Sequence, residues 1–117
     1  MHRYKDLTVW QKAMELVVDL YRITEKFPLK ERYGLITQMK RCAISIPSTI
    51  AEGAGRNTNK DFDHFLAISL GSSFELHSQL VLSNRLGYVE LEVVEKMEVE
   101  LTHIQNMIVK LKKSLNS

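Results

Sequence analysis

Apolar residues recur every three or four positions along four long segments of this chain, which is the period of an amphipathic α-helix. The only two prolines of the 117 residues are Pro28 and Pro47, and no segment reads as a β-strand. The pattern predicts one domain over residues 1–117, with helices at approximately 8–26, 30–54, 59–86 and 90–114. Short connections favour antiparallel neighbours, so the predicted fold is an all-α, up-down-up-down four-helix bundle.

Capping signals support these boundaries. Thr8, with Gln11 three residues later, fits a capping box at the start of the first helix. The third helix is expected to be capped by Thr58 or Asn59. Gly55 is expected to end the second helix, since glycine commonly follows the last helical turn.

The fourth helix carries one narrow apolar stripe, which fits a single core. Its members are Val94, Met97, Leu101, Ile104, Ile108, Leu111 and Leu115. The first helix carries two adjacent stripes: Trp10, Met14, Val17 and Tyr21, and beside them Val9, Ala13, Leu16, Leu20, Ile23 and Phe27.

The third helix also has more apolar surface than one core can hide. Its predicted core stripe is Phe62, Phe65, Ser69, Leu76 and Leu80. The residues predicted to point away from the core are Leu66, Leu70, Phe74 and Val81. Wide apolar arcs predict a second buried contact, so a homo-oligomer with Leu66, Leu70 and Phe74 at its interface is favoured over a broad single core.

Charge is distributed unevenly along the chain. Residues 1–60 hold 11 Lys/Arg and 6 Asp/Glu, whereas residues 61–117 hold 5 and 8. A basic first half is compatible with nucleic-acid binding, and equally with two halves that attract each other. The candidate phosphate-binding residues are Lys40, Arg41, Arg56 and Lys60. The alternative is that they are solvated surface charges, and with Tyr33 as the one aromatic residue close by, stacking on bases is not expected there.

Catalytic and metal-binding patterns are weak. The pairs Glu100–His103 and Asp61–His64 have a spacing used by di-metal bundles, but the fourth-helix stripe places His103 off the core. Cys42 is the single cysteine, which excludes an intrachain disulfide, and a buried unreactive thiol is favoured over a nucleophile. We therefore expect no enzymatic activity, no metal and no cofactor.

The sequence also bears on location. No apolar run approaches the roughly 20 residues that span a bilayer. The first ten residues, MHRYKDLTVW, lack the apolar stretch of a signal peptide. A cytoplasmic protein with no membrane contact is expected.

Several stretches closely resemble one family. They are DLTVWQKA (6–13), FPLKERYGLITQMKRCAISIPSTIAEGAGR (27–56), FLAISLGSSFELHSQL (65–80) and LGY (86–88). The resemblance is to bacterial four-helix bundle proteins first found encoded in intervening sequences of large-subunit ribosomal RNA genes. The same bundle family includes accessory proteins of diversity-generating retroelements. It implies a homopentameric ring with a basic surface that contacts nucleic acid or a nucleic-acid enzyme, and no established activity for most members.

The most specific part of the resemblance is SIP-x-x-IAEG-x-GR, whose structural residues here include Ser45, Pro47, Gly53 and Gly55. Pro47 lacks the N–H that would bond the carbonyl four residues earlier, so we expect a bend that turns the helix end towards a neighbour or ligand. Ser45 is expected to satisfy freed backbone groups, and Gly53 to let another helix approach closely.

Glu52 and Arg56 are four residues apart in the favourable order for an ion pair, and Glu52 is a candidate to set register at a subunit boundary. Two departures from the family matter. Thr49 replaces the usual Asn, which is expected to weaken a local hydrogen bond. The stretch NTNKDFDHF replaces a more basic one, which weakens the case for nucleic-acid contacts on the third helix.

Two functions remain open from the sequence. The first is a non-enzymatic homo-oligomeric scaffold that binds RNA or DNA phosphates through a basic surface. The second is a module that docks a protein partner, such as a reverse transcriptase or another nucleic-acid enzyme.

Overall fold

The computed structural model describes residues 1–116, which form four long helices and two short 3-10 turns. The helices are α1 (Thr8–Thr24), α2 (Leu35–Ala54), α3 (Asn59–Arg85) and α4 (Leu91–Leu115), and the 3-10 turns are Tyr4–Asp6 and Leu29–Glu31. Each helix packs beside its sequence neighbours and α1 also packs beside α4, so that α1 and α3, and α2 and α4, are the diagonal pairs of the bundle. The fold is the predicted antiparallel four-helix bundle, with a long dimension of 44 Å.

The cap of the first helix differs from the sequence-based expectation, whereas the cap of the third helix agrees with it. The predicted capping box at Thr8 is wrong: Leu7 precedes the first turn without a side-chain cap. The Gln11 amide instead donates to the Lys5 carbonyl at 2.8 Å, because the 3-10 turn before α1 brings that carbonyl within reach. The Thr58 cap is confirmed, since its hydroxyl accepts a hydrogen bond from the Asp61 amide at 3.1 Å.

The second helix begins at Leu35 rather than near residue 30. A 3-10 turn occupies Leu29–Glu31, and the Glu31 side chain takes over the role of a cap. One of its oxygens accepts from the Leu35 amide at 3.4 Å and the other from the Tyr88 hydroxyl at 2.7 Å. This contact joins the α1–α2 connection to the α3–α4 connection at the same end of the bundle.

The core confirms the apolar pattern of α4 and corrects that of α3. The first five residues of the predicted α4 stripe are buried, and Leu111 and Leu115 pack against the core from its edge. On α3, Leu66 is fully buried and Phe65 is half-buried. Placing Leu66 at an oligomer interface is therefore wrong, because the core arc of α3 is rotated towards it and away from Phe65.

Small side chains allow α2 and α3 to form the most extensive helix pair of the bundle. The Ser72 hydroxyl donates to the Ser45 hydroxyl at 2.9 Å, and the buried Ser69 hydroxyl donates to the Ile46 carbonyl at 3.0 Å. Ser45 thus joins two helices rather than satisfying backbone groups. The hydroxyl that bonds the Ser45 carbonyl belongs to Thr49, at 2.6 Å.

The second helix continues through Pro47 and ends at Ala54, with Gly55 as its C-cap, as predicted. The third ends differently. Gly87 has a φ of 81°, a left-handed backbone conformation that residues with a side chain rarely adopt. The Tyr88 amide closes this helix end by donating to the Ser83 carbonyl at 2.9 Å.

Gly53 lies where α2 meets α3 and leaves no room for a side chain. A Cβ there would lie 2.7 Å from Cβ of Phe65 and 2.9 Å from Cδ1 of Phe62.

We expect Gly53→Ala to lower the free energy of unfolding by about 1–3 kcal/mol, measured by chemical denaturation, because the two helices must separate. Gly71 on α3 is the matched control, since a Cβ there meets nothing within 4 Å. Gly71→Ala should stabilise by about 0.5–1 kcal/mol through helix propensity, and equal losses in both variants would contradict the close approach.

Candidate functional site

One end of the bundle carries four exposed lysines that form no ion pair within residues 1–116. Two hydrogen bonds define this basic end, which comprises residues 1–7, 52–63 and 110–116. The His2 amide donates to the Ala54 carbonyl at 2.8 Å, and the Asn59 amide group donates to the Leu115 carbonyl at 3.5 Å. These contacts bring the N-terminus, the α2–α3 connection and the last turn of α4 together.

The basic end has a surplus of positive charge. Its cations are Arg3, Lys5, Arg56, Lys60, Lys110, Lys112 and Lys113, and its acids are Glu52, Asp6, Asp61 and Asp63. Three of the cations are paired: Arg3 with Asp6 at 3.4 Å, Arg56 with Glu52 at 3.2 Å, and Lys112 with Asp63 at 2.9 Å. The remaining cations are Lys5, Lys60, Lys110 and Lys113, all exposed and without an ion pair within residues 1–116.

The Lys112–Asp63 pair fixes the end of α4 against the start of α3. The hydrogen bond from the Lys112 ammonium, with a second from Asn116, lowers the pKa of the Asp63 carboxyl below its ordinary value of 3.8. The stabilising effect of the pair is therefore present above that value and is lost as the pH falls. At neutral pH the pair leaves the flanking lysines directed to solvent.

The four cations that the sequence singled out do not form one patch. Lys40 and Arg41 lie in the first two turns of α2, whereas Arg56 and Lys60 lie beyond its other end. At 1.5 Å per residue, the helix between Lys40 and Ala54 separates the two pairs by about 20 Å. Lys40 is half-buried with its ammonium 4.3 Å from the centre of the Tyr21 ring, and Arg56 lies over Phe65 at 4.8 Å.

Lys60 is thus the candidate that stays both exposed and unpaired at the basic end. Sequence reasoning missed Lys110 and Lys113, which lie at the same end of the bundle. The antiparallel topology is the signal that places the α4 C-terminus beside the α2–α3 connection.

An apolar groove runs between α1 and α2 on the side of the bundle away from α3 and α4. This groove face has a volume of about 560 Å³ and is lined by Tyr4, Trp10, Met14, Val17, Ile44, Pro47, Ser48, Ala51 and Glu52. Met14 is 42% exposed and Ile44 41%. The first of the two predicted α1 stripes is therefore left open, and the SIPSTIAEG segment supplies the opposite wall.

A second apolar surface lies on α3, on its side towards α4. This ridge face is lined by Phe74, His77, Ser78, Val81, Leu82 and Arg85. Phe74 is 54% exposed, and His77 contacts Glu98 of α4 at 2.6 Å. Because α1 and α2 form the opposite side of the bundle, the groove face and the ridge face point in different directions.

The other predicted interface residues fall beside these faces. Leu70 is half-buried and packs against the core, so it contributes little to the surface. Glu52 lies at the rim of the groove face with an exposed side chain that pairs with Arg56.

Cys42 lies between α2 and α3 with its thiol donating to a Glu75 carboxylate oxygen at 2.9 Å. Burial and the contact with Glu75 raise the pKa of the Cys42 thiol to about 11. A neutral, hydrogen-bonded thiol is a poor nucleophile. Within residues 1–116 no three His, Cys, Asp or Glu side chains come together as a metal site.

No helix within residues 1–116 is both long enough and apolar enough to cross a bilayer.

Comparisons with known proteins agree with this architecture. The family model for the 23S rRNA-intervening sequence protein matches residues 5–110. A crystal structure of a protein of unknown function from the S23 ribosomal protein family of Bacteroides thetaiotaomicron superposes with a TM-score of 0.83 at 24% identity, covering 90% of this chain and 95% of that one. At that identity the second match is one of fold. No curated protein matches the sequence.

Proposed function

The chain belongs to the 23S rRNA-intervening sequence protein family, and we propose that it is a non-enzymatic homo-oligomeric scaffold that binds RNA or DNA phosphates through the basic end. The observation that carries this proposal is the pair of apolar faces on opposite sides of one bundle. Each leaves large side chains in water that a second copy would cover.

The two faces are different patches of the surface, which bears on the kind of assembly. The groove face lies between two helices and contains Trp10 and Pro47, whereas the ridge face lies on α3 alone and contains the exposed Phe74 ring. A contact between different patches is head-to-tail, and it closes into a ring when the rotation between copies permits. Five copies are the number that the family resemblance implies.

A head-to-tail ring would bring the basic ends of several subunits close together. Each basic end contributes the unpaired Lys5, Lys60, Lys110 and Lys113. Copies related by a ring axis present the same end on the same side whenever the bundles stand upright around it. Phosphate contacts from several subunits would then add, since binding through linked sites exceeds the affinity of each one.

Docking of a protein partner is the second candidate function. It is favoured by the groove face alone, because a concave apolar surface between two helices can receive a partner helix. It leaves the ridge face without a role. The two functions can be distinguished by the mass of the purified protein, because the first requires several copies of the chain to associate and the second does not.

The first prediction concerns self-association. Light scattering should give several times the chain mass of 13.5 kDa, and Met14→Glu or Phe74→Glu should each reduce the mass because a buried charge opposes the contact. Helicity by circular dichroism should remain, since both side chains are exposed in the single chain. Ile68→Glu is the control: it is 40% exposed, on α3, and about 120° around the helix from Phe74. A wild-type monomer would contradict self-association.

The second prediction concerns nucleic acid. Filter binding should show retention of RNA or duplex DNA that weakens with salt, with a log–log slope of roughly −0.9 per phosphate contact on duplex. Lys60→Ala with Lys113→Ala should make the slope shallower because two phosphate contacts are lost. Lys96→Ala, in the second turn of α4 and far from the basic end, should leave it unchanged. No retention at low salt would remove nucleic-acid binding from the proposal.

A further inference from the structure

The end of the bundle opposite the basic end presents an unusual projecting turn. Between α1 and α2, Leu29 is 77% exposed and Tyr33 is 88% exposed, the most exposed aromatic side chain of the described residues. Exposing a whole tyrosine ring and a leucine gives up apolar burial that the fold could have used. Together with the exposed Lys30 and Arg32 they form what we term the turn patch.

The turn that carries this patch is held firmly. The Glu31 amide donates to the Pro28 carbonyl at 3.0 Å, and the Gly34 amide donates to the Glu31 carbonyl at 3.1 Å. The Glu31 carboxylate is fixed by the Tyr88 hydroxyl and the Leu35 amide. The Thr37 hydroxyl donates to the Arg32 carbonyl at 2.6 Å. The backbone is thus ordered before any partner arrives, which lowers the entropic cost of binding.

The exposed charge of the turn itself is positive. Glu31, the single acid of the turn, is directed inward to Tyr88. The other acids of this end lie outside the turn: Glu25 and Glu90 line a separate recess with Arg22 and Lys26, and Glu92 is exposed in the first turn of α4. Lys30 and Arg32 form no ion pair within residues 1–116. The exposed ring therefore shares its turn with two free cations, Lys30 and Arg32.

We propose that the turn patch is a second nucleic-acid site, where the Tyr33 ring stacks on an unpaired base while Lys30 and Arg32 bind the adjoining phosphates. An aromatic face flanked by cations is the arrangement that binds single strands with little sequence preference. A protein hot spot differs, because it lies in a well-packed pocket near the centre of an interface from which water is excluded. The turn is convex and its neighbours are charged, which favours the single strand.

This site is independent of the phosphate-binding basic end, since the 44 Å length of the bundle separates them. Their chemistry also differs: the basic end accepts duplex and single strands, whereas stacking on Tyr33 requires an unpaired base. The two can therefore be tested separately on the same full-length protein.

The test compares a 12-nucleotide single-stranded RNA with a duplex of the same length by fluorescence anisotropy at fixed salt. Tyr33→Ala should weaken single-strand binding about tenfold and leave duplex binding unchanged. Tyr33→Phe should retain single-strand affinity, because the ring and not the hydroxyl stacks. Leu86→Ala removes another exposed apolar side chain at the same end and should have no effect.

The outcomes separate the two sites. Loss of single-strand binding in Tyr33→Ala with duplex binding intact supports the turn patch, whether or not the lysines of the basic end prove to bind. Equal single-strand affinity of the wild-type protein and Tyr33→Ala overturns it. A fall in the mass of Tyr33→Ala by light scattering also overturns it, because the ring would then contact another copy of the chain.

Discussion

Four antiparallel helices can bury one apolar stripe each, and this constraint governs the surface of the bundle as much as its core. The fourth helix obeys it with a single stripe. The first carries a second stripe, and the open part of that stripe, around Met14, forms one wall of the groove between α1 and α2. The third leaves Phe74 exposed on the opposite side. Folding buries the core and leaves these two apolar faces exposed to water. The proposed function follows from this exposed apolar surface.

The SIPSTIAEG segment contributes both to the packing of α2 against α3 and to the groove face. Its small residues face α3, where Gly53 lies against Phe62 and Phe65 and Ser45 bonds Ser72. Pro47 and Ala51 face the groove. A proline within a helix costs stability, about 3 kcal/mol in a helix interior, and here its buried ring lies at the base of the groove that we propose a second copy covers.

The sequence was sufficient for the four helices, because the 3.6-residue period and the Thr58 cap are local signals. The sequence-based prediction was wrong where a contact between residues distant in sequence determines the local structure. The late start of α2 depends on Tyr88, 57 residues away from Glu31, and the burial of Leu66 depends on the rotation of α3, which adjacent stripes on one helix leave ambiguous. The same limit applies to the candidate site: Lys40 and Arg56 are close in sequence but lie towards opposite ends of α2, whereas Lys60 and Lys113 are distant in sequence and lie at the same end of the bundle.

The most direct measurement of whether the two faces are complementary is the mass of a mixture. Met14→Glu keeps an intact ridge face and Phe74→Glu keeps an intact groove face. Each alone should remain at the chain mass of 13.5 kDa in light scattering, and an equimolar mixture should form a species of twice that mass and nothing larger. A mixture that stays monomeric while the wild-type protein assembles, or either variant associating with itself, would contradict a head-to-tail contact between the groove face and the ridge face.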